Sequence, residues 1–164
     1  MAYLARTAEK TDIPAITDIY NQGIQDRVAT FETALSTVEE RVHWLLERSE
    51  KHKVLVIGNG SGEVYGWASL NVYNSKCCYS GTADVSIYIR RDMRGKGLGK
   101  LLMNSLIKEA VKQGFHKLIL MALASNEMGK RLYVKSGFRE VGVFEKHGQL
   151  DGMWLDVVIM EKLL

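Results

Sequence analysis

The stretch TADVSIYIRRDMRGKGLGKLLMNSLIKEAVKQGFHKLILMAL, residues 82–123, decides the fold. Thr82 to Ile89 alternates and is rich in β-branched residues, which predicts a strand with Val85, Ile87 and Ile89 on one face and Asp84, Ser86 and Tyr88 on the other. A basic, glycine-rich turn follows. Leu98, Leu102, Leu106 and Ala110 then fall at helical spacing, and Gly114 is a helix-ending residue. Leu118 to Leu123 is wholly apolar, the pattern of a strand buried on both faces. This order of strand, loop, helix and strand predicts a right-handed crossover between two parallel strands.

Toward the N-terminus, Lys53 to Gly58 and Glu63 to Val72 read as strands on either side of Asn59-Gly60-Ser61-Gly62, an antiparallel hairpin. Thr37 followed by Glu40 is a capping-box pattern, and Val38, Val42, Leu45 and Leu46 extend a helix as far as Arg48. Thr11 as N-cap, Pro14 in the first turn and Ile13, Ile16, Ile19 and Ile24 at helical spacing predict a helix over residues 12–25, preceded by a short strand over 3–6. Toward the C-terminus a helix over 127–135 stops at Ser136-Gly137. Strands over 139–144 and 155–162 close the chain around a turn at 147–152. The reading is a single α/β (α+β) domain over residues 1–164, with a mixed, mostly antiparallel sheet of about seven strands, a central parallel pair and about four helices.

Composition narrows the function classes. A hydrophobic fraction of 46% with one proline excludes disorder. No apolar run reaches the roughly 20 residues of a spanning helix, and Arg6, Glu9 and Lys10 stand where a secretory signal would be apolar, so no membrane association and a cytoplasmic location are expected. Cys77 and Cys78 are adjacent and lack histidines at ligand spacing, so neither a disulfide nor a metal is expected. A net charge of +3 is mild, yet Arg90, Arg91, Arg94, Lys96 and Lys100 face only Asp92 within eleven residues. The cations lie in one turn without interleaved aromatics, which argues against nucleic acid.

That turn has chemistry of its own. Arg94-Gly95-Lys96-Gly97-Leu98-Gly99-Lys100 lies between a strand and a helix, where exposed amides and the helix dipole favour an anion and glycines allow close approach to phosphate oxygens. It is neither a Walker loop nor the Rossmann G-x-G-x-x-G. The residues Arg94, Gly97 and Gly99 resemble the acetyl-CoA signature [RQ]-x-x-G-x-[GA] of the GNAT superfamily of N-acetyltransferases. Asn126, Leu132-Tyr133 and Ser136-Gly137-Phe138 resemble its second stretch. Over nearly its whole length the chain is similar to the phosphinothricin and methionine-sulfoximine acetyltransferases. The similarity rests on Ile19-Tyr20-Asn21, Thr30-Phe31-Glu32, Arg41 with Trp44, Tyr79, the 84–89 run and Trp154-Leu155-Asp156-Val157.

The resemblance implies the GNAT fold, acetyl-CoA as cosubstrate and acetyl transfer to the primary amine of a small amino-acid-like molecule. It places the pantetheine arm on the backbone of Ile87, Tyr88 and Ile89, the pyrophosphate on Gly95 to Lys100 with Arg94, Lys96 and Lys100 adding charge, and Asn126 and Lys135 beside the cofactor. Asp84 stands where the subfamily carries a glutamate base, one methylene shorter. Tyr133, where those enzymes usually have histidine, would protonate the departing thiolate. Lys76 replaces an arginine that holds the substrate carboxylate, leaving Asn74, Ser75 and Lys76 for that task, and Phe31 and Glu32 would form another wall. The resemblance also implies a homodimer through the late strands. A polyamine, an antibiotic amine or a protein N-terminus as acceptor, and a non-catalytic acyl-CoA-binding module, remain alternatives.

Overall fold

The computed structural model describes residues 2–164. In chain order the elements are β1 (Leu4–Thr7), α1 (Ile13–Asp26), α2 (Val38–Leu46), β2 (Val54–Gly58), β3 (Val64–Val72), β4 (Thr82–Ile89), α3 (Leu98–Lys112), β5 (Lys117–Leu123), α4 (Glu127–Lys135), β6 (Arg139–Leu150) and β7 (Met153–Leu163). The strands make one sheet in the order β1-β2-β3-β4-β5-β7-β6. Among the described residues only β4 and β5 run parallel, joined by the α3 crossover, and the other pairings are antiparallel.

The sheet separates two cores. On one face Leu98, Leu102, Leu106 and Ala110 of α3 pack against Leu70, Ala83, Val85, Leu118 and Leu120. On the other, Ile13, Ile16 and Ile19 of α1 pack against Val54, Val56 and Trp67. Leu102 and Ile16 are fully buried, so truncating either to alanine costs about 2–5 kcal/mol. Among the described residues no helix is long and apolar enough to cross a membrane.

Four expectations are corrected. Thr11 does not cap α1. Residues 10–12 form a single 3-10 turn, and Asp12 closes it by accepting from the Glu9 N–H at 2.8 Å and from both Arg6 terminal nitrogens at 2.7 and 2.8 Å. The second helix ends at Leu46 rather than Arg48, because Arg48 turns inward to donate to backbone carbonyls, one of them His52 O at 2.9 Å. β5 is not buried on both faces: Leu118, Leu120 and Ala122 are, but Met121 is 52% exposed. The last two strands continue to Leu150 and from Met153, so the turn shrinks to Asp151-Gly152, both at positive φ. Asp-Gly suits the twist of a two-residue hairpin, and the intervening Glu145-Lys146-His147 is a bulge within β6 rather than its end.

Candidate active site

β4 and β5 are paired only at Thr82–Lys117, Ala83–Leu118 and Asp84–Ile119. β3, in contrast, holds β4 as far as Ile89. Beyond Asp84 the two parallel strands part, and one edge of β4 from Val85 to Ile89 offers backbone N–H and C=O groups to a cleft. Ile87 and Ile89 pack toward α3 on one face. Tyr88 leaves from the other, where a β-carbon on Gly23 of α1 would stand only 2.8 Å from its ring.

Asp84 sits at the parting point. Its cross-strand neighbour is Asn71, whose Nδ2 donates to Asp84 Oδ2 at 3.3 Å and to Ser86 Oγ at 3.1 Å. The amide orientation follows from its other partner. Arg48 Nη2 lies 2.8 Å from Asn71 Oδ1, and Ser69 Oγ lies 3.0 Å from it. A guanidinium can only donate, so the carbonyl end of Asn71 must face Arg48 and its NH2 must face Asp84. Burial pushes the Asp84 carboxyl up to about 6, against the lowering effect of the Asn71 bond. A carboxyl there is ionised at neutral pH yet basic enough to take a proton.

Tyr133 of α4 is half-buried beside Phe138, at 6.2 Å between ring centroids. Burial, with the Asp84 charge adding to it, pushes its phenol up to about 12. This lies well above the ordinary phenol value near 10.

The glycine-rich turn lies at the mouth of the cleft. Gly95 and Gly97 take φ of 76° and 84°, the left-handed region, and space is open around both where a β-carbon would stand. Gly97 precedes the first turn of α3 and no side chain caps that helix, so its leading amides are free for an anion. The charge excess seen in sequence is largely spent. Arg90 pairs with Glu63 and Asp92, and Arg91 and Arg94 both pair with Asp26 of α1. Lys96 and Lys100 are exposed, as is Lys135 on α4. Leu98 is 1% exposed, a core side chain that leaves only its backbone to the turn. Asn126 caps α4, accepting from Gly129 N–H at 2.9 Å.

A cavity of about 310 Å³ opens on the α1 side of the sheet. Tyr20 of α1, Thr30 and Glu32 of the following loop, and Arg41 and Trp44 of α2 form its walls. Trp67, Ser69 and Asn71 of β3 with Ser86 and Tyr88 of β4 form its floor. Phe31 packs on β6, where a β-carbon on Gly148 would meet its ring at 2.5 Å, and Arg27 reaches Asp151 at 3.0 Å. The loop carrying Glu32 is thus tied to the β6–β7 hairpin. Asn74, Ser75 and Lys76 are exposed in the β3–β4 connection, with Lys76 N–H donating to Asn74 Oδ1 at 2.9 Å, and they do not line the cavity.

Sequence reasoning assigned no role to Asn71, Arg48 or Trp67. For Arg41 a signal existed: it stands three residues after Val38 and four before Leu45, on the apolar stripe of α2. Among the described residues no group of three or more His, Cys, Asp or Glu could hold a metal ion.

Residues 5–159 match the family described as acetyltransferase (GNAT) domain. The chain is 32% identical over 162 residues to the L-methionine sulfoximine/L-methionine sulfone acetyltransferase of Pseudomonas paraeruginosa, covering 98% of this chain and 94% of the relative. The solved ribosomal-protein-alanine N-acetyltransferase from Brucella melitensis superposes with a TM-score of 0.93 at 33% identity, over 98% of this chain and 99% of that one. A phosphinothricin acetyltransferase from Sinorhizobium meliloti, solved in complex with AcCoA, gives 0.91 at 27% identity, over 100% and 89%. The overall fold is thus shared with solved acetyltransferases, and the chain belongs to the GNAT family of acetyltransferases.

Proposed function

We propose that the protein transfers an acetyl group from acetyl-CoA to the primary amine of a small amino-acid-like substrate by direct attack in a ternary complex. The observation that carries this reading is the carboxylate of Asp84 at the point where β4 and β5 part. The open edge of β4, the left-handed Gly95 and Gly97 and the uncapped start of α3 fit a long ligand with an amide-bearing arm and a diphosphate. Acetyl-CoA supplies the acyl group as a thioester.

The chain's own residues do the rest. Asp84, held by Asn71, takes the ammonium proton directly or through one water, which offsets its missing methylene relative to a glutamate. Backbone N–H groups of the 85–89 edge donate where negative charge develops on the acyl oxygen. Tyr133 donates a hydrogen bond to the departing sulfur. With its phenol at about 12, against about 8.5 for a thiol, full proton transfer would be uphill, so donation is its easier contribution. Gly95 to Lys100 hold the diphosphate by backbone amides, with Lys96 and Lys100 adding charge, and Asn126 and Lys135 would contact the cofactor from the start and end of α4.

Relatives named for acetylating methionine sulfoximine and phosphinothricin support a small amino-acid-like acceptor. The relative that acts on ribosomal-protein alanine supports a second reading, a protein N-terminus. Thiol release measured with phosphinothricin, methionine sulfoximine, free amino acids, spermidine and an alanine-initiated peptide separates them. Turnover of the first group alone supports the reading, and turnover of the peptide alone replaces it. A homodimer through the late strands is part of the proposal, supported by the exposed Val141, Val143 and Trp154. A monomer on sizing would remove it.

A further inference from the structure

Two buried donors on the acceptor cavity have no partner: Arg41, through Nε and Nη2, and Trp67, through Nε1. Both residues line the cavity. Arg41 is 8% exposed and Trp67 2%. Neither side chain can accept a hydrogen bond, so they cannot satisfy each other. Arg41 instead lies against rings, 3.8 Å from the Trp44 centroid, 4.4 Å from Tyr20 and 5.1 Å from Trp67. Those contacts offset part of its desolvation and leave its hydrogen-bonding capacity unused.

The surroundings accentuate the deficit. Arg48, the other guanidinium beneath the cavity, bonds only neutral acceptors, namely the carbonyls of His52 and Leu70 and the amide of Asn71. Burial and the nearby Arg41 charge push it down to about 10. Among the described residues that line the cavity Glu32 alone is a carboxylate, and it sits exposed at the rim. A buried, unpaired cation beside a second cation is costly, and proteins retain such an arrangement where a ligand completes it.

From this we infer that Arg41 and Trp67 form the subsite for a terminal acid group of the acceptor, remote from its amine. Register sets the spacing. Trp67 pairs with Tyr88 and Asn71 with Asp84, so acid and amine sites lie four strand positions apart, roughly 13 Å. Subtracting a contact of about 3 Å at each end leaves about 7 Å, a reach of about five or six bonds between amine nitrogen and acid oxygen. The α-carboxylate of a simple amino acid is too near its amine to span this. A side-chain acid of glutamate length spans it. The inference rests on the acetyl-transfer reading for the identity of the amine site, but the acid subsite is testable without turnover.

Trp44 and Trp67 flank Arg41, so tryptophan fluorescence reports on it directly. Glutarate, an acid without an amine, is titrated against the protein, with neutral glutaramide as control. The expected result is a saturable fluorescence change with glutarate alone, weakened at least tenfold in Arg41→Met and severalfold in Trp67→Phe. Arg41→Met removes the charge and keeps an apolar stem in the aromatic nest, so its melting temperature should equal or exceed that of the parent. In thiol-release assays the same variant should raise KM for L-glutamate at least tenfold relative to L-norvaline. No response to glutarate in the parent protein, or an unchanged response in Arg41→Met, overturns the inference. So does a fall in melting temperature with equal losses for L-glutamate and L-norvaline, because that marks Arg41 as structural. If glutarate titrates as described while no amine releases thiol, the acid subsite stands and the acetyl-transfer reading falls.

Discussion

The two halves of the site are built on different principles. The cleft side comes from one contiguous run, β4, the glycine turn and the start of α3, and it works through backbone: an open strand edge, two left-handed glycines and an uncapped helix. The cavity side gathers residues from α1, its following loop, α2, β3 and β4, and it works through side chains whose polar groups are partnered, as at Asn71, or left bare, as at Arg41. A backbone cradle tolerates any side chain that keeps its φ values. A side-chain cavity changes its preference with each substitution. Within one molecule the first suits an invariant ligand and the second a variable one.

The sharpest test of this contrast is Asp84, where the halves meet. Asp84→Asn should lower kcat/KM by about 10²–10⁴ while leaving acetyl-CoA affinity unchanged, as read by thiol release and calorimetry. In the parent the rate should fall as pH drops through about 6, and the variant should lack that limb. Stability should move the opposite way. The folded value of about 6 lies above the ordinary 3.8, so the fold binds this proton more tightly than the unfolded chain. Stability is therefore lost as pH rises from 3.8 to 6. Asp84→Asn should be more stable than the parent at pH 7, by up to about 3 kcal/mol, and the gap should close below pH 4. A gap that stays constant with pH would mean that the carboxyl is not desolvated as described.

On the cleft side alone, Gly97→Val forces a β-branched residue to φ of 84° at the start of α3. Strain of about 1–2 kcal/mol should raise KM for acetyl-CoA by about tenfold and leave the preference among amines as it was. A changed amine preference would show that the halves are not separable.

On the cavity side, Asn71→Leu removes the one hydrogen bond that lowers the Asp84 carboxyl. The acidic limb should move up by about half a unit to one unit, with acetyl-CoA affinity intact. An unmoved limb would show that Asn71 does not orient the carboxylate.

The same contrast explains what the sequence disclosed. The cleft was legible because its determinants are local: alternation in β4, glycines at fixed offsets and helical spacing in α3 all lie within residues 82–123. The cavity was not, because Asn71 becomes meaningful only once β3 and β4 are in register and Arg48 has turned inward to fix its amide. Arg41 carried a trace, a cation on an apolar stripe, but nothing local says whether such a residue finds a carboxylate or stays bare. The long final hairpin was missed for another reason. The bulge at Glu145-Lys146-His147 breaks the alternation of β6, and the Asp151-Gly152 signal was absorbed into a longer turn.

The smallest expected effect falls on Arg94, the residue that opens the acetyl-CoA signature. Its guanidinium donates to Asp26 at 2.6 Å and to Ile89 O at 3.1 Å, which ties the turn to α1 and to the end of β4. If the cradle is made of backbone amides, that side chain shapes the turn without contributing free charge to it. Asp26→Asn would release Arg94 and Arg91 together, and an arginine freed beside a diphosphate site should tighten acetyl-CoA only if charge were the limiting factor. We expect a change in KM for acetyl-CoA of less than about threefold, because partly exposed charges are screened, and only a slight loss of stability from the broken pairs. A tenfold gain in affinity on freeing Arg94 would reverse the assignment, making the cleft, like the cavity, a site run by its side chains.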